Sequence, residues 1–378
     1  MTENCISILG STGSIGVNTL KVTEKLKGQF KIKYISGYNN YKLLIEQAEK
    51  FKPEFIVTSD DHYTKIRDIL KRASVKVIAG SEGLKQSCQD AEVGTVVNAI
   101  VGSFGLKPTV YALEKGKKVC LANKESLVMA GSYIKKLSKK TGASIIPIDS
   151  EHSAMLQALN GEERSSLEKI ILTASGGPFR KKSGSLENVS IEEALNHPKW
   201  SMGKKISIDS ATLMNKGFEL IEAVHLFDIS PAKIEVVIHP ESIVHSLMQF
   251  IDGSVIAQLG LPDMMLPIQY ALTYPKRSKL KLPRLDLSEL GKLTFHKPDR
   301  KKFPALDLAC RAAEEKGTLP VVLNTVNEIM VYKFLAGRIK FTDIVNNVGK
   351  EMDAHTNIKN PTIENICELS DELWKKFK

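Results

Sequence analysis

A short apolar run followed at once by a glycine-rich turn is the feature that most constrains the fold of this chain. The run CISIL (residues 5–9) is typical of a buried strand. GSTGSIG then places Gly10, Gly13 and Gly16 ahead of a helical pattern that begins at Val17. Such glycines allow a tight turn, close approach of a pyrophosphate and packing of the helix on the sheet, and free N–H groups at the helix start attract phosphate. The pattern predicts a dinucleotide-binding turn, with an ordinary strand–helix turn as the alternative.

The segments that follow alternate between strand-like and helix-like patterns. The strand-like runs are FIVTS, VKVIAG, TVVNAIVG, KKVCLAN and ASIIPID. This alternation predicts a doubly wound parallel sheet, which binds ligands at the carboxyl ends of its strands. The second strand, IKYIS, ends in Gly37, Tyr38, Asn39 and Asn40, without the acidic residue that binds the ribose of NAD. The sequence therefore favours NADP, with Lys42 as the nearest cation.

The composition limits the classes of protein to consider. With 378 residues, 42% of them hydrophobic and 25% charged, the chain is expected to form two or three globular domains. No apolar stretch approaches the roughly 20 residues that span a bilayer, and no targeting segment precedes the first strand, so we expect a cytoplasmic location without membrane association. The net charge of +10 comes mostly from dispersed lysines, which fits anionic small molecules better than nucleic acid. Five scattered cysteines without a CxxC pair argue against a disulfide framework.

Three acidic residues and one cationic turn predict a metal and anion site. Asp149 and Glu151 end the apolar run ASIIPIDSE, and SATLMNKGFE carries Asn215, Lys216 and Glu219. If NKGFE is helical, its amide, ammonium and carboxylate groups share one face. Together with the first two carboxylates, this face offers only oxygen ligands, as hard divalent cations prefer, beside an anion-binding patch. A phosphorylated, metal-chelated substrate fits such a site.

Three loops carry further candidate residues. The stretch at 173–190 is rich in Gly, Ser and Lys and lacks regular periodicity, so it is expected to form a loop. Within it, Ser175 opens SGG, whose hydroxyl and backbone donors can bind phosphate. HPKWSMG contains His197, Trp200 and Met202, which suggest a lid that closes over a ligand, although Trp200 can instead anchor the loop to the core. Lys124 in LANKES follows a strand at the ligand-binding edge of the sheet, with an ordinary surface lysine as the alternative.

The remainder of the chain predicts a second sheet and a helical region. Strand patterns at 234–238, 243–250 and 254–259 indicate a mixed or antiparallel sheet, with a hairpin at Asp252–Gly253 whose edge can build a dimer interface. His245 within this sheet is interpreted as structural, with an active-site role as the alternative. A proline- and lysine-rich crossing segment precedes helical patterns at 305–315, 320–336, 343–353 and 363–376, with Thr342 and Thr362 as helix caps.

Eight ordered motifs resemble one enzyme family. GSTGSIG, AIVG, LANKESLV, PIDSEHSA, SGGPF, HPKWSMG, SATLMNKGFE and IHPESIVHS, from Ile6 to about Pro267, are similar to those of 1-deoxy-D-xylulose 5-phosphate reductoisomerases. The resemblance implies an α/β protein with an N-terminal Rossmann-like parallel-sheet domain at 1–148 and a central α+β catalytic, metal-binding and dimerisation domain with a mobile lid at 149–275. A linker at 276–303 and a C-terminal helical bundle at 304–378 complete it.

The same resemblance implies an activity and its cofactors. The family is an NADPH-dependent homodimer that uses Mg²⁺ or Mn²⁺, with Co²⁺ as a further possibility. It converts 1-deoxy-D-xylulose 5-phosphate to 2-C-methyl-D-erythritol 4-phosphate in the non-mevalonate route to isoprenoids. No nucleic-acid or membrane partner is implied.

Residues carry over by position in the motifs. Asp149, Glu151 and Glu219 match metal ligands, and with Lys124 they form the implied catalytic set. The implied substrate contacts are Lys124, Ser150, Glu151, Ser175, His197, Trp200, Met202, Ser210, Asn215, Lys216 and Glu219. The implied cofactor contacts are Gly10, Ser11, Thr12, Gly13, Ser14, Ile15, Gly37, Asn39, Ala99, Ile100, Asn123, Glu125 and Gly203. Tyr38 stands where many relatives have Lys or Arg, which leaves Asn39 as the best-matched contact for the 2′-phosphate.

Two other functions remain open at the level of sequence. One is another two-domain NADP dehydrogenase, such as one acting on a semialdehyde, which typically needs no metal. An acylating enzyme of this kind needs a positioned cysteine, and neither Cys88 nor Cys120 has such a setting. The other is a non-catalytic NADP sensor. Neither alternative needs three carboxylates beside a phosphate patch, so that patch favours the reductoisomerase.

Overall fold

The computed structural model describes residues 4–200 and 202–378, which form two compact units. The first unit comprises Met1–Ser126, Ile134–Asp149 and Asp263–Leu282, and the second comprises Leu127–Tyr133, Ser150–Pro262 and Pro283–Lys378. The predicted four-part division at 148, 275 and 303 stays a prediction, and residues 1–3 of its first domain lie outside the described residues. Within the described ranges, no helix combines the length and apolar character needed to cross a membrane.

Strands and helices alternate in the first half of the chain, and the described elements after the eleventh strand are helices. The strands are β1 (Asn4–Leu9), β2 (Phe30–Ser36), β3 (Phe55–Thr58), β4 (Lys76–Ala79), β5 (Val93–Asn98), β6 (Lys118–Leu121), β7 (Ser144–Pro147), β8 (Leu167–Ala174), β9 (Ile234–Ile238), β10 (Val244–Phe250) and β11 (Val255–Leu259). The first eight helices are α1 (Ser14–Lys25), α2 (Tyr41–Phe51), α3 (Asp60–Ile69), α4 (Gly80–Gln89), α5 (Leu106–Glu114), α6 (Lys124–Thr141), α7 (Ser150–Ala158) and α8 (Ile191–Leu195). They are followed by α9 (Lys204–Thr212), α10 (Met214–Phe227), α11 (Met265–Thr273), α12 (Leu287–Leu290), α13 (Ala305–Glu315), α14 (Leu319–Leu335), α15 (Phe341–Ala354) and α16 (Ile363–Lys376).

The first unit contains a seven-stranded sheet in the order β4-β3-β2-β1-β5-β6-β7, with every neighbouring pair parallel. The predicted doubly wound parallel sheet is therefore confirmed. β1 lies between β2 and β5, so the strand order reverses at β1 and β5, where open α/β sheets bind ligands outside the carboxyl ends of their strands. The loops after β1 and β5 thus border the crevice expected for a dinucleotide.

The second unit contains a four-stranded mixed sheet in the order β11-β10-β8-β9. β8 runs parallel to β9 and antiparallel to β10, and β10 pairs with β11 through the predicted hairpin. Gly253 at the turn has a φ of 86°, which a glycine adopts without strain. The mixed sheet and the hairpin are confirmed.

Two local predictions were wrong. Thr342 does not cap α15, because that helix begins at Phe341 with Lys340 as its N-cap residue, and the Asp343 carboxylate accepts the backbone N–H of Lys340 at 2.9 Å. The predicted glycine-rich loop from residue 173 begins too early, since Thr173 and Ala174 still belong to β8. The cap at Thr362 is confirmed: its hydroxyl accepts the backbone N–H of Asn365.

One apolar core in the second unit surrounds α10 on several sides. α10 packs on α13 so closely that a Cβ built at Gly217 would lie 2.6 Å from Cβ of Ala309. α14 and the inner face of β8, β9 and β10 contribute buried Leu, Ile, Val and Phe side chains to the same core. Close packing on most of its surface holds α10 in one position, and α10 carries the predicted amide, ammonium and carboxylate groups.

Candidate active site

The first turns of α10 bring together three predicted residues. Nδ2 of Asn215 donates a hydrogen bond of 2.6 Å to Oε1 of Glu219, and Nζ of Lys216 contacts Oε2 of the same carboxylate. The helix places these side chains on one face because they lie three and four residues apart. Glu219 is only 1% exposed, so its charge depends on these partners rather than on water.

Glu151 approaches this face from α7. Its Oε1 lies 3.8 Å from Nζ of Lys216, and its Oε2 accepts a hydrogen bond of 2.6 Å from the Ser150 hydroxyl. One carboxylate oxygen of Glu151 and one of Glu219 lie within 4.8 Å of each other. Two oxygens that ligate one Mg²⁺ or Ca²⁺-like ion at about 2.0–2.5 Å lie no more than about 5 Å apart, so this pair meets the distance requirement of a hard cation.

Asp149 and Lys124 belong to the first unit. They follow the neighbouring parallel strands β7 and β6, so the carboxyl ends of these strands bring them to the same edge of the sheet. Nζ of Lys124 lies 2.7 Å from Oδ2 of Asp149, and both side chains are largely buried. Asp149 is joined to Glu151 through Ser150 alone, and two residues of chain span at most about 7 Å.

His152 and Glu222 are candidate functional residues that the sequence analysis did not assign. The ring of His152 lies 2.9 Å, through Nε2, from the backbone oxygen of Glu219. A carbonyl oxygen only accepts, so Nε2 carries the hydrogen. Nδ1 lies 3.3 Å from Oε2 of Glu222, and both residues are at most 1% exposed. His152 thus ties α7, which carries Glu151, to α10. A glutamate within the apolar stretch FELIEAVHL was the available signal for Glu222.

The SGG turn after β8 lies against the end of α9. Gly176 and Gly177 have φ angles of 84° and 65°, and a Cβ at Gly177 would lie 2.7 Å from the backbone oxygen of Ser210. Only glycine permits this approach. The turn therefore brings Ser175 towards Ser210, and two hydroxyls with neighbouring N–H groups can serve one phosphate.

His197 connects the predicted lid to this turn. Its Nδ1 accepts the backbone N–H groups of Lys199 at 3.2 Å and Trp200 at 3.0 Å. Nε2 therefore carries the hydrogen of the neutral ring and donates it to the Ser175 hydroxyl at 2.9 Å. Burial lowers the pKa of His197 to about 4, so the ring is neutral near pH 7.

The other lid residues are placed differently. The ring centroid of Trp200 lies 6.4 Å from that of His245, which is 4% exposed and whose Nε2 lies 3.2 Å from the backbone oxygen of Gly260. These contacts agree with a structural His245 on which Trp200 rests. Met202 is half-buried, and Ser201 between them lies outside the described residues.

The glycine turn of the first unit is shaped by close backbone contacts. Gly10 has a φ of 77°, and a Cβ there would lie 2.7 Å from the backbone oxygen of Ala99. A Cβ at Gly16 would lie 2.3 Å from the backbone oxygen of Gly10. Gly13 is the N-cap residue of α1, and no described side chain caps this helix. The first N–H groups of a helix can bind phosphate.

The remaining predicted cofactor residues line or support this turn. Thr12 packs against Gly37, where a Cβ would lie 2.8 Å from the threonine methyl, and Ser14 and Ile15 form the first turn of α1. Ser11 is fully buried: its N–H donates to Ser36 O and its hydroxyl to Oε1 of Gln47, so it supports the loop through these contacts.

The loop after β5 is held by Asn123. Its Nδ2 donates to the backbone oxygens of Ile100 and Gly102 at 2.7 and 2.8 Å, and to Oε2 of Glu125 at 3.2 Å. Ala99 and Ile100 are therefore fixed at the crevice. Asn39 is exposed in the loop that follows β2, whereas the Tyr38 hydroxyl donates to the backbone oxygen of Gly80. Gly203 lies in the second unit as the N-cap residue of α9.

Comparison with known proteins identifies the family of this chain. Family models described as "1-deoxy-D-xylulose 5-phosphate reductoisomerase", "1-deoxy-D-xylulose 5-phosphate reductoisomerase C-terminal domain" and "DXP reductoisomerase C-terminal domain" match residues 6–131, 145–227 and 259–376. The reductoisomerase of Thermoanaerobacter pseudethanolicus is 48% identical over 376 residues, which cover 98% of each chain. The chain belongs to the 1-deoxy-D-xylulose 5-phosphate reductoisomerase family.

Other reductoisomerases agree in sequence and in fold. That of Caldanaerobacter subterraneus subsp. tengcongensis is 49% identical over 373 residues, covering 98% of this chain and 97% of its own. A crystal structure of a reductoisomerase in complex with NADPH, fosmidomycin and magnesium matches with a TM-score of 0.94 at 43% identity, over 99% of this chain and 97% of that one. The Zymomonas mobilis reductoisomerase in complex with NADPH matches with a TM-score of 0.92 at 38% identity, over 99% and 98% of the two chains. The fold class expected from the motifs is confirmed.

Proposed function

We propose that this chain is an NADPH- and divalent-cation-dependent enzyme that converts 1-deoxy-D-xylulose 5-phosphate to 2-C-methyl-D-erythritol 4-phosphate. The observation that carries the proposal is the pair of Glu151 and Glu219 oxygens within 4.8 Å, beside Lys216 and Asn215 on one face of α10. Carboxylates that suit a cation thus adjoin an ammonium and an amide that suit a phosphate.

Asp149, Glu151 and Glu219 are the proposed ligands of Mg²⁺ or Mn²⁺, and Co²⁺ fits the same oxygen donors. Such an ion polarises the carbonyl and the neighbouring hydroxyl of the substrate as a Lewis acid. Lys124 lies 2.7 Å from Asp149, and Lys216 lies beside Glu151 and Glu219, so each carboxylate has a cationic partner. Lys124 is also proposed to stabilise negative charge on a substrate oxygen or to move a proton to it.

Ser175, Ser210, Asn215 and Lys216 are the proposed phosphate contacts. They lie at the SGG turn, the end of α9 and the start of α10. In the proposed substrate, the phosphate is separate from the carbons that react. Binding energy from a remote group lowers the barrier when it fixes the position of the reacting part. The segment with His197, Trp200 and Met202 is proposed to cover the substrate and thereby keep water from the reacting carbons. Ser150 is proposed to contact oxygen atoms of the substrate.

The proposed NADPH contacts are Gly10, Thr12, Gly13, Ser14, Ile15, Gly37, Asn39, Ala99, Ile100, Asn123, Glu125 and Gly203. The buried Ser11 supports the glycine turn rather than contacting the cofactor. NADPH supplies the hydride of the reduction. The turn and the α1 N-terminus bind the pyrophosphate through backbone N–H groups, and Asn39 is proposed to contact the 2′-phosphate. An acylating dehydrogenase is disfavoured, because burial raises the pKa of the Cys88 thiol to about 12 and that of Cys120 to about 11, which keeps both protonated.

The test is NADPH oxidation in the presence of 1-deoxy-D-xylulose 5-phosphate, first with Mg²⁺ and then with excess EDTA. We expect oxidation that stops with the chelator and returns with added metal, and a product that retains the phosphate. Oxidation that is insensitive to EDTA would refute the carboxylate site. Folded protein that binds NADPH but does not oxidise it under either condition would refute the reaction and favour the sensor.

A homodimer in the cytoplasm completes the proposal. β11 is an edge strand of the four-stranded sheet, and Val255, Ile256 and nearby Ile251 are 46%, 36% and 71% exposed. An apolar edge of this kind supports pairing with a second copy. We expect a dimer by sedimentation and a shift to monomer in Val255→Lys; a monomeric wild-type chain would refute it. None of the five cysteines takes part in a disulfide among the described residues, which supports a reducing compartment; cell fractionation tests the location.

A further inference from the structure

A buried polar contact joins the C-terminal helices of the second unit to the helix that carries Ser210. Nδ2 of Asn327, on α14, donates a hydrogen bond of 2.7 Å to Oδ1 of Asp209 on α9. The other carboxylate oxygen, Oδ2, lies 2.8 Å from Nζ of Lys205, one helical turn earlier. Lys205, Asp209 and Asn327 are 5%, 2% and 0% exposed. We call these three residues the α9 anchor.

The α9 anchor fixes geometry rather than maximising stability. The free energy of removing an ion pair from water is about as large as the attraction between its charges. Apolar side chains of similar volume therefore often give a folded chain of equal stability. What buried, directional contacts add is one defined arrangement of the elements they join. Nζ of Lys205 also lies 5.0 Å from the ring centroid of Phe218 on α10. The anchor therefore relates α9 to both α14 and α10.

Ser210 lies directly after the anchored aspartate. α9 ends two residues beyond it, and Leu213 then has a φ of 60°, in the left-handed region that branched and bulky side chains rarely adopt. On its other side, the backbone oxygen of Ser210 faces Gly177 with no space for a Cβ. The last turn of α9 is thus held between the SGG turn and the amide of Asn327, so the position of the Ser210 hydroxyl depends on both.

We propose that the α9 anchor positions the phosphate half of the substrate site, with Asn327 acting through Asp209 on Ser210. This inference rests on the proposed function, in which Ser210 is a phosphate contact. Asn327 does not touch the substrate in this scheme. It is a positioning residue on a helix of the C-terminal region, and it gives that region a direct part in substrate affinity.

The test compares two substitutions on α14. Asn327→Leu keeps the shape of the side chain and removes the donor to Asp209. Thr325→Val is the matched control: Thr325 is equally buried, and its hydroxyl lies 3.2 Å from that of Ser370 on α16, which carries none of the proposed phosphate contacts. We expect Asn327→Leu to raise the KM for 1-deoxy-D-xylulose 5-phosphate about tenfold, with kcat within about twofold and an unchanged Kd for NADPH. Thr325→Val is expected to leave all three unchanged.

A double-mutant cycle tests the route through Ser210. In a Ser210→Ala background, Asn327→Leu is expected to raise KM by less than about twofold, because the group that it positions is already missing. Equal KM values for Asn327→Leu and wild type would overturn the proposal. So would an equal rise in Asn327→Leu and Thr325→Val, or a full tenfold effect without Ser210.

Two further measurements separate the role of the α9 anchor from the proposed reaction and from a failure to fold. Protection of the folded chain against heat by inorganic phosphate needs no turnover, and it is expected to weaken in Asn327→Leu but not in Thr325→Val. An inactive wild type that still shows this difference would refute the proposed reaction and leave the anchor supported; equal protection would overturn the anchor. If Asn327→Leu does not fold, Asn327→Gln, which moves the amide by one methylene, is expected to raise KM about threefold, and an unchanged KM would overturn the proposal.

Discussion

The carboxylate and phosphate residues of the second unit and the glycine turn of the first unit are built by opposite means. In the second unit, the proposed function resides in side chains that contact one another, such as the Glu219 carboxylate between Asn215 and Lys216. In the first unit, it resides in backbone N–H groups that are accessible because side chains are missing. Gly10 and Gly16 leave no space for a Cβ against the neighbouring backbone.

This difference determines which substitutions each site tolerates. A site built from side chains loses function when a functional group is replaced by one of the same shape, because its function depends on charge and hydrogen bonding rather than on shape. A site built from backbone tolerates changes of polarity nearby but not the addition of one methyl group at a contact. Substitutions that conserve shape and substitutions that conserve polarity therefore separate the two regions.

Glu219→Gln gives the largest expected effect. It keeps the shape of a residue that is 1% exposed and removes the negative charge that the proposed cation requires. We expect kcat/KM with Mg²⁺ to fall by about 10³-fold or more, with the Kd for NADPH within about twofold of wild type, as measured by cofactor fluorescence.

Glu235→Gln is the matched control in the same unit. Its carboxylate is 48% exposed and pairs with Lys169 on the surface at 2.8 Å, so its loss is expected to leave turnover unchanged. Full activity in Glu219→Gln, or an equal loss in both variants, would break the assignment of function to side chains in this unit.

Gly16→Ala is the complementary change in the first unit. The added Cβ would lie 2.3 Å from the backbone oxygen of Gly10 and 2.4 Å from Cα of Ser11, so the turn must move. We expect the Kd for NADPH to rise about 100-fold. Gly94→Ala, in β5, meets no atom within 4 Å and is expected to bind NADPH as wild type does. Wild-type affinity in Gly16→Ala would mean that the turn is not shaped by backbone contact.

Both sites were recognisable in the sequence, for different reasons. The glycine turn could be predicted because Gly10, Gly13 and Gly16 stand at fixed spacing between a strand and a helix, and local backbone geometry determines the rest. The face of α10 could be predicted because helical periodicity alone brings Asn215, Lys216 and Glu219 together. The joining of this face to Glu151 was inferred from chemistry, and the structure places the two carboxylates within reach of one ion.

Contacts that depend on tertiary packing could not be predicted in this way. The bond from Asn327 to Asp209 spans 118 residues, and no local pattern marks either partner. The tie from His152 to Glu219 depends on how α7 packs beside α10. Thr342 failed as a cap because Lys340 and Asp343 form an alternative pairing that starts two residues earlier, and propensity alone does not choose between neighbouring caps.

His197 gives a smaller effect that depends on pH. Burial lowers its pKa from 6.5 to about 4, so between these values the unfolded chain binds more protons than the folded one. Stability from this group is complete above pH 6.5 and is lost as the pH falls towards 4. We expect the urea midpoint of wild type to fall more between pH 7 and pH 5 than that of His197→Gln, which cannot titrate there.

His296→Gln controls for the loss of a histidine, since His296 is exposed in the same unit. It is expected to keep the pH dependence of wild type. If the urea midpoint of His197→Gln falls between pH 7 and pH 5 as much as that of wild type, the contact between the lid segment and Ser175 does not depend on a neutral ring. That result would count against a second unit held together by specific side-chain contacts.

One substitution made in both units gives the smallest effect and the sharpest contrast. Thr58, at the end of β3, is fully buried, and its hydroxyl has no hydrogen-bond partner among the described residues. Thr173, in β8, is 2% exposed, and its hydroxyl donates to the backbone oxygen of Val244 at 2.8 Å. Valine has the same shape as threonine, so Thr58→Val removes only an unsatisfied polar group, whereas Thr173→Val leaves a carbonyl without its donor. We expect the free energy of unfolding to rise by up to about 1 kcal/mol in the first and to fall by about 1 kcal/mol in the second. Urea unfolding measures both, and changes of the same sign would show that buried side-chain hydrogen bonds do not distinguish the two units.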